Sequence, residues 1–311
     1  MAGKIRIHRV KPTVRRHPGA SMEGVLVGKD GSIIHDDAWM HRDLLDEEEW
    51  LERKRINDIY SQIIGAWKSA KTAVVFTGAG MSTESGLPDF RSKNGLWKTR
   101  PKSMATMEDF AQRPQEFYSS YQWWISQMQK VQPNTGHFKL AEMERAGYIK
   151  HIITQNVDGL HQQAGSAKMI ELHGSLQTVS CLKCGRLFDS KTMLPGDDSR
   201  VSGSTQQQSY GKECLCRECG GFLRPDIVMF GEALPEEAIW QAMELSRKAD
   251  FFVVLGSSLT VSPANHCPLL AVQNGAKLLI INQEPTEFDE LAEWVIKDSV
   301  GDVLSAIVKL W

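Results

Sequence analysis

Thr72 to Arg91 reads TAVVFTGAGMSTESGLPDFR, and this stretch decides the fold. An apolar, largely β-branched run ends in the turn Gly78-Ala79-Gly80, and Pro88-Asp89-Phe90-Arg91 follows. Such a run reads as a strand buried on both faces. Glycines at its exit let bare backbone amides approach a phosphate, since no side chain stands in the way. The spacing departs from the ordinary dinucleotide fingerprint, because the next glycine is Gly86 rather than one three residues after Gly80. Taken alone, the GAG turn is equally the tight strand-to-helix turn that glycine makes in many settings.

Before this strand, DEEEWLERKRINDIYSQIIGAWKSA (Asp46 to Ala70) puts Ile56, Ile59, Tyr60, Ile63, Ile64 and Trp67 on one helical stripe, with acidic residues in its first turn. Beyond it, short apolar runs recur at His151 to Thr154, Phe251 to Leu255, Lys277 to Ile281 and Trp294 to Ile296. They alternate with helical stretches such as Pro235 to Lys248. The pattern predicts an α/β fold with a parallel sheet covered by helices on both faces. Polar residues follow four of the runs: Gly78-Ala79-Gly80, Gln155-Asn156-Val157-Asp158, Gly256-Ser257-Ser258 and Asn282-Gln283-Glu284. In parallel sheets ligands sit beyond the carboxyl ends of the strands, so these four ends define one expected cleft.

At 311 residues and 41% hydrophobic content the chain can bury a large core with room for a smaller inserted lobe. A formal net charge of −2 gives no global attraction to nucleic acid or to anionic membrane. No apolar stretch reaches the length of a membrane span, and the first residues lack the hydrophobic segment of a secretory signal. The expected setting is cytoplasmic and reducing. Lys4, Arg6, Arg9, Lys11, Arg15 and Arg16, with no acidic residue among the first 22 positions, make a basic and poorly ordered arm. A mitochondrial transit segment is the alternative reading of that arm. Weak contact with nucleic acid would have to come through it.

In a reducing compartment, six cysteines point to metal binding or free thiols before disulfides. Cys181-Leu-Lys-Cys184-Gly185 and Cys216-Arg-Glu-Cys219-Gly220 are two copies of C-x-x-C-G, the spacing at which four thiolates hold one tetrahedral zinc ion. The glycine after each pair permits the tight knuckle around the metal. Four thiolates close the coordination sphere, so this zinc holds shape and does not activate water. Cys214 is an alternative to Cys216 as ligand, and Cys267 stands apart as a core thiol. Between the pairs, PGDDSRVSGSTQQQSYGK is too polar to form a core and reads as a mobile excursion. His173, in MIELHGS at the junction with the zinc lobe, has the pKa range of a general base. A satisfied structural histidine competes with that reading, and His161 in GLHQQAG has the structural reading only.

Seven motifs occur in order: GAGMSTESGLPDFR, TQNVDGLHQ, ELHGS, the paired CxxC, LRPDIVMFGE, GSSLTVSPA and INQEPT. In this the chain closely resembles the sirtuin family of NAD-dependent protein deacylases, from about Lys71 onward. The resemblance implies a Rossmann-like catalytic domain over residues 46–311 after an extension of residues 1–45. The zinc lobe would span about 175–232, and the cofactor loop with a helical insertion about 90–150. NAD and an acyl-lysine peptide would enter between domain and lobe. It further implies that Gly78, Ala79, Gly80, Ser82, Asp89, Phe90 and Arg91 serve the pyrophosphate and nicotinamide side, Phe90 by covering the reacting face. Gly256, Ser257, Asn282 and Glu284 would hold the adenosine end, with Asp302 and Val303 beside the adenine. Gln155, Asn156 and Asp158 match the family's TQN-x-D around the nicotinamide ribose, with Val157 where many members have Ile. His173 would be the catalytic base and Asn156 its partner in the reacting site.

On the same resemblance, a substrate strand would add its backbone between Val228-Met229-Phe230-Gly231-Glu232 and Gly256 to Val261, including Leu259. Nicotinamide would leave as the acyl oxygen attacks the ribose, and the acyl group would pass to ADP-ribose. Members that prefer acidic acyl groups carry Tyr-x-x-Arg after the cofactor loop. Here that stretch is Tyr118-Ser119-Ser120-Tyr121, which lacks the cation and so favours acetyl and other neutral groups over succinyl.

The same cleft would serve a mono-ADP-ribosyltransferase or an NAD glycohydrolase. A nicotinamide dehydrogenase fits less well, because the glycine spacing is wrong and no acidic residue ends a second Rossmann strand. A zinc-ribbon nucleic-acid module fits least, because the lobe is not basic and such a module has no use for polar residues at four strand ends.

Overall fold

The computed structural model of the chain describes residues 5–8, 47–93, 95–99, 106–194 and 214–311. The polar excursion Pro195 to Lys212 and most of the basic arm lie outside the described residues. Strand β1 (Ile5–His8) and helix α1 (Glu47–Ser69) precede β2 (Ala73–Thr77). Helices α2 (Leu96–Thr99), α3 (Met107–Gln112), α4 (Pro114–Met128) and α5 (Thr135–Arg145) form the insertion before β3 (His151–Thr154). Helix α6 (Leu160–Gln163) and β4 (Met169–Glu171) lead into a lobe of β5 (Gly174–Cys181), β6 (Leu187–Asp189) and β7 (Leu223–Ile227). Helix α7 (Glu236–Lys248), β8 (Phe251–Leu255), α8 (His266–Gln273), β9 (Lys277–Ile281), β10 (Trp294–Lys297) and α9 (Val300–Lys309) follow.

The main sheet runs β1-β10-β9-β8-β2-β3-β4 with every pairing parallel. Its inner strands are the apolar runs read from the sequence, and successive residues face opposite sides. Val75, Ile152, Val253 and Leu279 meet α1, α5 and α9, whereas Val74, Ile153, Val254 and Ile280 meet α7 and α8. From α1, Ile59, Ile63, Ile64 and Trp67 are buried, with Tyr60 packed at the edge.

One expectation needs correcting. Ile5–His8, part of the arm expected to be poorly ordered, is an edge strand in register with Trp294–Lys297. The alternation of Ile5 and Ile7 with polar residues is the signal, and the pairing gives the open edge of β10 a partner.

The lobe is a three-stranded antiparallel sheet, β6-β5-β7. A third core joins it to the insertion, where Phe117, Tyr118, Tyr121, Ile125 and Met128 of α4 pack on Leu176, Val179, Leu223 and Met229. The insertion and the lobe therefore share one packed core beside the sheet. Register matters most at the top of the main sheet. Thr77 lies level with Thr154 and Leu255, and Leu255 with Ile281, so the four polar exits start from one line.

Candidate active site

Each exit from that line is tied to its neighbour. Gly78 N donates to Leu255 O (3.0 Å), Gly80 N to Gly256 O (2.8 Å), and Gly256 N to Ile281 O (2.9 Å). The glycines are required by this crossing. A Cβ on Gly80 would lie 2.8 Å from Gly256 Cα, and one on Gly256 (φ 60°) would lie 2.3 Å from Met81 N. The turn thus spends the amides of Gly78 and Gly80 on the adjacent strand end, whereas the sequence reading had them facing a phosphate. The unusual glycine spacing answers to this close approach of two loops.

A buried polar network fills the space behind the turn. Asn156 Nδ2 donates to Gly78 O (3.0 Å) and to Ser82 Oγ (3.2 Å), and Ser82 Oγ donates to Asp158 Oδ2 (2.6 Å). Asp158 Oδ1 accepts from Leu160 N (2.9 Å). Burial nevertheless raises the Asp158 carboxyl above the usual carboxylate range, against the lowering by those donors. Both protons of the Asn156 amide are occupied, so its oxygen is the atom left to receive a ligand's donor. Gln155 Nε2 donates to Ser257 Oγ (2.8 Å), which ties the β3 exit to that of β8.

Below the network, Thr154 Oγ1 accepts from Asn156 N (3.0 Å) and from Thr77 Oγ1 (2.8 Å), and Thr77 Oγ1 lies 3.0 Å from His161 Nε2. The His161 ring meets that of His137, with centroids 4.8 Å apart. Burial holds His137 down at about 4 and His161 at about 3, so both are neutral near pH 7. His161 is the structural histidine expected. His137 escaped the sequence reading; it closes a capping box with Asn134 at the start of α5, at a position where the usual pattern has Glu or Gln.

His173 follows β4, and its Nδ1 lies 2.9 Å from Gln155 O. A carbonyl oxygen only accepts, so Nδ1 carries the proton and Nε2 keeps the lone pair of a base. Burial lowers its pKa, partly offset by that hydrogen bond. Its own carbonyl accepts from Val228 N (2.9 Å), which places the expected substrate segment directly beside the imidazole. Gly174 (φ 73°) permits this junction, since a Cβ there would lie 2.1 Å from Asp226 O. The segment is braced by Glu232, whose carboxylate accepts from Met229 N (2.9 Å) and pairs with Arg224.

The remaining predicted residues distribute as follows. Phe90 is exposed, with its ring 5.7 Å from Trp97 and 5.9 Å from Trp124, and Arg91 stacks 4.1 Å over Trp97. Asp89 Oδ1 accepts from the backbone of Arg91 and Ser92 and thereby shapes the PDFR turn. Phe230 is exposed and 5.9 Å from Trp97, whereas Leu259 (φ 55°) turns its side chain into the core. Gly231 and Val261 flank these two within their loops. Asn282 Nδ2 donates to Glu284 O (2.7 Å), and Glu284 is exposed beyond β9. Asp302 is exposed in the first turn of α9, but Val303 is buried beneath it.

At the lobe, the sulfurs of Cys181, Cys184, Cys216 and Cys219 all lie within 4.8 Å of one another. Cys181 and Cys219 are 3.4 Å apart, and Cys184 and Cys216 3.8 Å. Zinc–sulfur bonds of about 2.3 Å give tetrahedral edges of roughly 3.8 Å, so the four thiolates fit zinc. The two knuckles are alike: Gly185 N donates to Cys181 O and Gly220 N to Cys216 O, both glycines at φ near 70°. Cys214 stands outside the cluster, 3.8 Å from Gln122 Nε2, which settles the choice in favour of Cys216. Cys267 is a core thiol, pushed up to about 11 by burial.

Fold and site together define a Rossmann-like enzyme with a zinc lobe poised over the strand ends. Comparison with known proteins agrees. The Sir2 family model matches residues 78–263. NAD-dependent protein deacetylase 1 of Geobacillus kaustophilus is 50% identical over 248 residues, covering 78% of this chain and 96% of its own. NAD-dependent protein deacylase 2 of Pyrobaculum aerophilum is 41% identical over 242 residues, covering 78% and 91%. A solved Sir2 complex with p53 peptide and NAD+ superposes with a TM-score of 0.69 at 35% identity, covering 79% of this chain and 96% of that one. Another, with deacetylated p53 peptide and 3′-O-acetyl ADP ribose, gives 0.72 at 36% identity, covering 80% and 96%. The chain belongs to the Sir2 family.

Proposed function

We infer that this chain is an NAD-dependent protein-lysine deacetylase that moves the acyl group from lysine to ADP-ribose and releases nicotinamide. The observation that carries the reading is the His173 imidazole, held by Gln155 O with its Nε2 free, between the Asn156–Ser82–Asp158 network and the Val228 segment. NAD supplies the ribose carbon and hydroxyls that receive the acyl group. Gln155, Asn156 and Asp158 orient the nicotinamide ribose, Ser257, Asn282 and Glu284 serve the adenosine end, and residues 228–231 receive the peptide backbone. His173 Nε2 takes the proton from a ribose hydroxyl as that oxygen attacks the acyl carbon. Zinc holds the lobe against α4 and touches no reacting atom.

Acetyl and other neutral acyl groups are the preferred cargo. Tyr118 and Tyr121 are both buried, Tyr118 with its hydroxyl on Leu223 O (2.8 Å), and burial raises the Tyr121 phenol so that it stays neutral. The nearby Arg224 guanidinium is already paired with Glu232. Among the described residues, the cation nearest these tyrosines is thus already engaged and not held ready for a succinyl carboxylate. Mass spectrometry of one peptide carrying acetyl- or succinyl-lysine, incubated with NAD, tests both points. Deacetylated peptide, nicotinamide and O-acetyl-ADP-ribose should form in equal amounts, with succinyl removed more slowly. Faster succinyl removal sinks the acyl preference, and ADP-ribosylated protein without deacetylated peptide favours the transferase alternative.

A further inference from the structure

We propose that Glu84 is a positioning residue for the dinucleotide, a clamp that fixes the pyrophosphate loop to the helix expected beside the adenine. This rests on the cofactor reading above. Glu84 lies in the loop after Gly80, and its Oε1 accepts from Gly301 N (2.8 Å) and Ser299 Oγ (3.1 Å). These two donors belong to the first turn of α9, whose N-cap is Ser299 and whose Ser299 Oγ also accepts from Asp302 N. A carboxylate at that position satisfies an amide that the helix cannot and meets the positive end of its dipole.

Gly301 shows how close the fit is. A Cβ there would stand 2.1 Å from Glu84 Oε2, and Gly301 has an ordinary helical φ, so it is glycine for room and not for conformation. The opposite end of the same loop is held too, where Asn134 Nδ2 donates to Met81 O (2.8 Å) from the N-terminus of α5. The loop carrying Ala79 to Ser85 is thus held between two helix N-termini, one 53 residues and the other 217 residues away in sequence. The turn itself gives up the Gly78 and Gly80 amides to the β8 side, so its outer position depends on these side-chain contacts. Glu84 sets the distance between the two ends of the dinucleotide site, and its loss should weaken the dinucleotide without touching the peptide.

The test compares wild type with Glu84→Ala, Glu84→Gln and Gly301→Ala. Isothermal titration with ADP-ribose gives affinity without catalysis, and steady-state kinetics give KM for NAD and for acetyl-peptide. Glu84→Ala and Gly301→Ala should each weaken ADP-ribose and raise KM for NAD about tenfold, with kcat and the peptide KM within twofold. Glu84→Gln keeps an acceptor of the same reach and should recover most of the loss. Unchanged ADP-ribose affinity in Glu84→Ala, or an equal rise in both KM values, overturns the clamp alone. Wild type that binds no ADP-ribose overturns the cofactor reading and the clamp with it.

Discussion

Ser82 Oγ donates to Asp158 Oδ2 across 2.6 Å while accepting from Asn156 Nδ2, so one hydroxyl joins the glycine loop to the β3 exit inside a buried site. Removing it leaves a raised carboxyl and an amide each short of a partner. Ser82→Ala should lower kcat/KM by ten- to a hundredfold, about 1–3 kcal/mol. The effect should fall on NAD and spare the peptide KM. Equal kinetics in the variant would remove the hydroxyl from the network's function.

The crossing of the two glycine loops predicts a sharp intolerance. Gly256→Ala combines a left-handed φ with a Cβ 2.3 Å from Met81 N, so it should destabilise the fold by at least about 2 kcal/mol. Gly185→Ala has the same sign of φ and open space around it, and should cost about 1 kcal/mol. Urea denaturation midpoints rank the two, and the reverse order would contradict the close-approach account.

Buried imidazoles give stability a pH dependence whose sign is fixed. His137 and His161 titrate at about 4 and about 3 in the folded chain, below the ordinary value of 6.5. Between pH 6.5 and 4 the unfolded chain binds protons that the folded chain refuses, so stability falls as pH falls through that window. Each contributes up to about 2 kcal/mol of loss at pH 5. The urea midpoint should drop from pH 7 to pH 5, and the drop should shrink in His161→Gln. An equal drop in that variant would place the titration elsewhere.

Zinc is a structural prediction with two arms. Cys216→Ser should lose the metal and loosen the core shared by the lobe and α4, visible as lost near-ultraviolet circular dichroism and lost activity. Cys214→Ser should retain one zinc per chain, because that sulfur lies against Gln122 and outside the cluster. Metal analysis of the two variants decides between them.

Much of this was legible in the sequence where a signal is local. Phe251–Leu255 and Lys277–Ile281 are strands with the bounds read from their apolar runs, and the polar exits align as a parallel sheet requires. The paired C-x-x-C-G spacing located the metal cluster for the same reason. What escaped depends on partners far apart in the chain. Ile5–His8 is four residues inside a basic stretch and becomes a strand through β10. The Thr77–Thr154–His161 chain and the Glu84–Gly301 contact join residues with ordinary local contexts. Gly78 and Gly80 were found as residues, but the reason for them lies in Gly256, which no local pattern shows.

In the proposed reaction His173 acts as base after nicotinamide has left, and that order is open to one measurement. In single-turnover mass spectrometry with NAD and acetyl-peptide, His173→Ala should still release nicotinamide while O-acetyl-ADP-ribose forms at least about 10²-fold more slowly than in wild type. Ester formation at the wild-type rate in that variant would contradict the account.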